Sequence, residues 1–210
     1  MITPSFRRHA LPTLTLAFAL AFVSGCTAAG GPPAQGGGGA TSDCPTSQPA
    51  PMPLGQTRTV TLATTKGQIV IAVKSDLSPI AVANFVALAS CGYYNGSPFH
   101  RVVPGFVIQG GVKADGSRLG YTIEDEPVTA TYHRATVAMA KVSGTPNSAT
   151  SQFFICLDDS TAASLPDSGT YQIMGEVTSG MDTVDAIAGA ADAEHPSNPV
   201  IITTATVTNP

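Results

Sequence analysis

The chain has 210 residues, 10 basic against 14 acidic side chains for a net charge of −4, only 11% charged residues and no tryptophan. That length accommodates one globular domain plus accessory segments, since single domains usually take about 100–200 residues. The acidic balance argues against nucleic-acid binding, which needs clustered Lys and Arg to neutralise phosphates.

Arg7 and Arg8 precede an apolar run from Ala10 to Val23, too short to span a bilayer comfortably and closed by small residues, as in a secretory leader. Without those two arginines the balance is 8 basic against 14 acidic residues. Val23-Ser24-Gly25-Cys26 resembles the bacterial lipobox, which implies cleavage before Cys26 and diacylation of its thiol. An ordinary signal peptide with an incidental cysteine, or an uncleaved anchor, are the alternatives. A diacylated cysteine supplies the two acyl chains that stable anchoring needs. Residues 1–25 are therefore expected to form the leader, and 26–56 the lipidated cysteine and a tether.

The tether's Gly36 to Gly39 and spaced prolines Pro45, Pro49, Pro51 and Pro53 cannot bury enough apolar area to offset their ordering entropy. About 30 such residues, at roughly 5–6 Å times the square root of their number, would hold a domain some 30 Å from the membrane. The expected location is extracytoplasmic, lipid-anchored to the cell membrane, in the periplasmic leaflet if two membranes are present. Of the four cysteines, acylation of Cys26 leaves three, so at most one internal bridge forms. Cys44 ends the tether and Cys91 ends a helix, both exposed by this reading, and they are the favoured pair; Cys156 ends an apolar strand and is expected buried and free.

The folded domain is expected over 57–210. Arg58 to Thr64 and Gln68 to Lys74 alternate apolar and polar residues around Lys66-Gly67, which predicts a β-hairpin. Ser78-Pro79 predicts a helix start, with Ala81, Val82, Phe85, Leu88 and Ala89 at helical spacing up to Gly92. Short strands and turns follow, then a second helix from about Gly180 to Ile187 and a last strand from Val200 to Val207. Many short strands, Gly-rich turns and two helices predict a mainly β fold: a closed antiparallel barrel capped by two α-helices.

The run Phe99-His100-Arg101-Val102-Val103-Pro104-Gly105-Phe106-Val107-Ile108-Gln109-Gly110-Gly111 mixes strand formers with a Pro-Gly turn. If a strand follows that turn, Val107 and Gln109 share one face and Phe106 and Ile108 the other, and Arg101 is the nearest partner for a half-buried Gln109. The run resembles the signature of the cyclophilins, the peptidyl-prolyl cis-trans isomerases. Met139-Ala140 followed by Pro146-Asn147-Ser148-Ala149-Thr150-Ser151-Gln152-Phe153-Phe154-Ile155 is similar to a second family segment, and Tyr171 to Val177 with the following helix to a third. The three stand in family order, and the resemblance runs from about Thr59 to Val207.

The resemblance implies an enzyme that isomerises X–Pro bonds, with Arg101 as catalytic arginine. Phe106, Val107, Phe154 and Leu165 would wall the proline pocket, with Tyr171 standing where eukaryotic members have a histidine. Gln109 would orient Arg101, Gln152 would contact the substrate backbone, and the main chain of Ala140 and Lys141 would hold the residue preceding proline. The implied partners are proline-containing peptides and unfolded exported proteins, engaged by a monomer without cofactor. The sequence departs from the pattern at the tryptophan that many members place before the pocket leucine, where Ser164 or a neighbour stands, so weak cyclosporin binding is expected. The stretches 141–146 and 160–170 also differ in length from the commonest forms. A module that binds proline loops without turnover, and a purely structural barrel, are the competing readings.

Other features read blandly. No CxxC or HxxxH spacing suggests a metal site, no G-x-S-x-G a serine hydrolase, and the glycines from Gly110 to Gly120 lack a dinucleotide context. Glu124-Asp125-Glu126 reads as an acidic surface turn, and His100, His133 and His195 as local packing residues.

Overall fold

The computed structural model describes residues 43–165 and 170–209, all within one compact unit. The leader, Cys26 and residues 27–42 of the tether lie outside the described residues. Among the described residues no helix is long and apolar enough to cross a membrane.

Strands β1 (Thr57–Thr64) and β2 (Gly67–Lys74) form the expected hairpin, in register from Thr57 opposite Lys74 to Thr64 opposite Gly67. Helix α1 (Pro79–Ser90) follows, then β3 (Arg101–Val103), β4 (Val107–Gly110), β5 (Thr136–Met139) and β6 (Phe153–Cys156). A one-turn α2 (Thr161–Ser164), β7 (Ile173–Ser179), α3 (Met181–Ala190) and β8 (Ile202–Thr208) complete the fold. The eight strands form one antiparallel sheet in the order β3-β4-β6-β5-β7-β2-β1-β8, curled into a half-barrel. Between the two edge strands, Pro98 bridges Ile201, and the Val102 N–H of β3 donates to Glu194 O at 2.8 Å, so the α3–β8 loop lies along the β3 edge.

The sheet's faces differ. Val102, Ile108, Ile155 and Val137, cross-strand neighbours from β3 to β5, belong to the main core with Phe85 and Leu88 of α1 and Val184 and Ile187 of α3. Phe153 packs edge-on to Phe85, Tyr94 and Phe99 at its centre. Each fully buried side chain of this kind contributes about 1.5–3 kcal/mol. The opposite face carries a second apolar cluster, described with the site below.

Several expectations need correction. A third helix, α2, is present, too short to leave a periodic trace in sequence. Ser78 stands at the α1 cap position but makes no capping bond, and its Oγ is buried without a partner. The cap comes instead from Glu126, whose carboxylate accepts the Ile80 and Ala81 N–H groups at 2.8 and 2.9 Å. The acidic run is therefore not a mere surface turn: Glu126 caps a helix, and Asp125 accepts Lys141 Nζ at 2.7 Å. Finally, the last part of the supposed tether is part of the domain. Cys44 is disulfide-bonded to Cys91, Gln48 Oε1 accepts the Glu124 N–H, and the Met52 N–H donates to Pro79 O.

Candidate functional site

The register places Arg101 opposite Gln109, Gln109 opposite Phe154 and Phe154 opposite Ala138, so one row of side chains crosses β3, β4, β6 and β5 on the face away from the main core. A strand presents alternate residues to one face, so Val107 joins Gln109 and Cys156 joins Phe154. The second apolar cluster forms here, from Val107, Tyr132, Ala138, Phe154, Cys156, Leu165, Tyr171 and Ile173, with Phe106 and Ala140 packed against it. Phe106 is thus on the Val107 side and not with Ile108, because Pro104 to Phe106 form a turn and strand alternation begins only at Val107. The Phe106 carbonyl is held by the Leu157 N–H at 2.8 Å and the Thr161 hydroxyl at 3.1 Å, so α2 fixes this half-buried ring.

The Phe154 and Tyr171 rings meet edge to face, centroids 5.7 Å apart. Leu165 closes α2 with its N–H on Thr161 O and is 9% exposed. Six of the expected residues, Phe106, Val107, Ala140, Phe154, Leu165 and Tyr171, are therefore in one apolar patch.

The polar residues form a chain along its edge. Arg101 Nη1 lies 3.5 Å from Gln109 Oε1, and Gln109 Nε2 donates to Gln152 Oε1 at 2.9 Å. The shorter bond of Arg101 is one that sequence reasoning missed: Nε donates to Glu194 Oε1 at 2.7 Å. The Ala140 N–H donates to Gln152 O at 2.9 Å, and the Ala140 carbonyl and Lys141 N–H have no backbone partner among the described residues. The Lys141 side chain is 7% exposed and tied to Asp125, so its charge serves the fold.

Gln109, Ala140, Lys141 and Gln152 also line a cavity of about 710 Å³, bounded further by Tyr93, Tyr121 and the glycine-rich loop through Arg118. The loop leaves β4 at Gly111, where φ is +94° and a Cβ would lie 2.4 Å from Ser151 O; only glycine fits. Cavity and apolar patch are thus adjacent, with Gln109 and Gln152 between them.

Burial shifts two titratable groups near the site. Burial holds the His100 imidazole below its ordinary range, with the neighbouring His195 and Arg101 acting in the same direction. Burial also pushes the Cys156 thiol up to about 12, so it is not a thiolate at neutral pH. Among the described residues no group of His, Cys, Asp and Glu is arranged to hold a metal ion.

Comparison with known proteins agrees with this geometry. The family described as Cyclophilin type peptidyl-prolyl cis-trans isomerase/CLD matches residues 59–207. The chain belongs to the cyclophilin-type peptidyl-prolyl cis-trans isomerases. It is 39% identical over 163 residues to peptidyl-prolyl cis-trans isomerase B of Escherichia coli, covering 70% of this chain and 98% of that one. Peptidyl-prolyl cis-trans isomerase A of Dickeya dadantii is 34% identical over 162 residues, covering 70% and 83%. Among solved structures, a Cryptosporidium parvum cyclophilin superposes with a TM-score of 0.63 at 30% identity, over 73% of this chain and 99% of that one. The same protein has also been solved in the presence of the dipeptide Ala-Pro. This cyclophilin is accordingly a peptidyl-prolyl cis-trans isomerase, and its matched region coincides with the domain that carries the row from Arg101 to Ala138.

Proposed function

We propose that this cyclophilin turns X–Pro bonds through Arg101, poised beside the Phe106–Val107–Phe154–Leu165–Tyr171 patch, in proteins that fold after export. The observation that carries the reading is the single sheet face on which the register lines up Arg101, Gln109 and Phe154.

The chemistry follows from the amide. Resonance gives the C–N bond double-bond character and a rotation barrier of about 18–20 kcal/mol. No bond breaks, so neither a nucleophile nor a base is needed. As the amide twists, its nitrogen becomes pyramidal and basic, and a permanently charged guanidinium stabilises that form without gaining or losing a proton. The apolar patch grips the proline ring and excludes water that favours the planar ground state. A barrier lowered by ~6 kcal/mol gives about four decades of rate. The Ala140 carbonyl and Lys141 N–H are the groups for the residue before proline, and Gln152 for the substrate backbone.

The anchored, exported setting rests on the leader and on Cys26 in its lipobox-like context. The Cys44–Cys91 disulfide supports it, because such bonds persist in oxidising compartments outside the cytoplasm. Uncatalysed X–Pro isomerisation takes tens to hundreds of seconds, a delay worth removing for chains that fold there. The reading also takes the half-barrel as closing through the segment before β3, where the Phe99 N–H donates to Val200 O and the Ile202 N–H to Ser97 O.

A protease-coupled proline-peptide assay on the full chain tests the catalytic assignment: Arg101→Ala is expected to lower kcat/KM at least about a hundredfold. Equal rates would remove Arg101 from the mechanism. Palmitate labelling of the wild type, lost in Cys26→Ser, tests the anchor.

A further inference from the structure

We propose that Glu194 is a positioning residue for catalysis, holding the Arg101 guanidinium by its Nε so that Nη2 is presented to the substrate amide. The inference rests on the catalytic role of Arg101 proposed above.

The Glu194 side chain is 54% exposed, but its position beside Arg101 is set by the backbone. Its loop is attached to the strand it serves: the Glu194 carbonyl accepts the N–H of Val102, the residue after Arg101, at 2.8 Å, and His195 Nδ1 lies 3.1 Å from the His100 carbonyl oxygen. The loop is also locked within itself, since Asp192 accepts both the N–H and the hydroxyl of Ser197. Bonds to the main chain on both sides of Arg101 thus fix where the Glu194 side chain starts.

The guanidinium is then held at two points. Nε donates to Glu194 Oε1 at 2.7 Å, the distance of a charge-assisted bond, while Nη1 reaches Gln109 Oε1 only at 3.5 Å. Nη2 has no protein acceptor among the described residues, and the Arg101 side chain keeps 29% of its surface exposed. A planar, five-donor group fixed at Nε and Nη1 has one orientation, which leaves both Nη2 donors for a ligand. Without Glu194 the remaining side-chain hydrogen bond among the described residues is the long one to Gln109, and the guanidinium rotates about its last bonds. Preorganised donors act on a transition state because they need not reorient during the reaction, so this freedom lowers the rate of rotation more than it weakens binding.

The test compares wild type, Glu194→Ala, Glu194→Gln, Arg101→Ala and the Glu194→Ala/Arg101→Ala double variant of the full chain. Exchange spectroscopy on a proline peptide separates turnover from binding. Glu194→Ala is expected to lower turnover about tenfold with peptide affinity within about twofold, and Glu194→Gln, which retains an acceptor, to recover most of it. The Arg101 Nε–H resonance reports the bond directly: protected in wild type and Glu194→Gln, exchanging rapidly in Glu194→Ala. In the Arg101→Ala background, Glu194→Ala should have no further effect. Undiminished turnover in Glu194→Ala while Arg101→Ala is inactive overturns the inference and leaves the catalytic arginine standing. So does an equal loss in the Arg101→Ala background, or a Glu194→Gln that keeps the Nε bond without recovering turnover. An active Arg101→Ala overturns both readings together.

Discussion

The hydroxyl of Tyr132 sits on the main chain of Tyr171, donating to its carbonyl oxygen at 2.6 Å and accepting from its N–H at 3.1 Å. Both residues are buried, and Tyr171 in turn stacks its ring edge against Phe154. One hydroxyl thereby fixes an aromatic wall of the apolar patch. Tyr132→Phe removes both of these bonds to the buried main chain of Tyr171. The expected loss is about 1–3 kcal/mol in denaturant unfolding, together with weaker peptide binding as the Tyr171 ring shifts. Unchanged stability and affinity would show that the wall is held by packing alone.

Glu126 reaches the first turn of α1 from a loop 46 residues away in sequence, and also accepts Gln172 Nε2 at 3.3 Å. A carboxylate at a helix N-terminus satisfies open N–H groups and meets the positive end of the helix dipole. Glu126→Ala should therefore cost about 0.5–2 kcal/mol. Hydrogen exchange localises the effect: the Ile80 and Ala81 amides should exchange faster, while β1 and β2 stay protected. A loss of protection spread evenly over the domain would argue against a cap.

These two residues show where sequence reading stops. The β1–β2 hairpin, α1 and α3 are written in local periodicity, and Arg101, Gln109 and Phe154 in short motifs whose strands pair side by side. Glu126, Tyr132, Thr161 and Glu194 make their contacts across 46, 39, 55 and 93 residues. Each is a single polar residue in a loop or one-turn helix, where no period marks a partner, so only the folded chain reveals it. The side of Phe106 is hidden for a similar reason, since strand alternation does not extend through the turn from Pro104 to Phe106. The folded part beginning before residue 57 was hidden by composition, since a Pro-rich segment that looks unable to fold is held by the domain's own groups and one disulfide.

That disulfide closes a loop of 47 residues between Cys44 and Cys91. By the loop-entropy relation, restricting the unfolded chain to this extent is worth about 4 kcal/mol. Cys44→Ser with Cys91→Ser is expected to lower unfolding free energy by about 2–4 kcal/mol, with isomerase turnover retained because neither cysteine touches the site. Equal denaturation midpoints with and without reductant would show that the segment from Asp43 to Gln56 holds without it.

Burial lowers the folded pKa of His100 below its unfolded value. The unfolded chain then binds more protons between the two values, and stability is complete above about pH 6.5 and falls as pH drops through the folded pKa. Denaturant titrations between about pH 7.5 and pH 5 should show this decline in wild type and a shallower one in His100→Gln. Turnover should stay flat where the fold is intact, because rotation about an amide needs no proton transfer. A bell-shaped kcat/KM profile, absent in His100→Gln, would instead make the imidazole part of the mechanism.

The far rim of the patch is the place where ligand preference should part from relatives that carry a tryptophan. Leu165 is buried at the end of α2, but the preceding Ser164 is exposed and offers neither a ring face nor an indole N–H. A large aromatic with one polar edge supplies both area and a directed donor to a cyclic peptide, and serine supplies neither. Cyclosporin is therefore expected to bind more weakly than about 1 μM, a free energy less favourable than about −8.2 kcal/mol, when measured by calorimetry. Ser164→Trp should tighten it at least about tenfold by restoring roughly 1.4 kcal/mol of rim contact, with turnover of a short proline peptide unchanged. Submicromolar binding by the wild type would mean that the rim residue contributes little and that Phe106, Phe154 and Leu165 alone hold the drug.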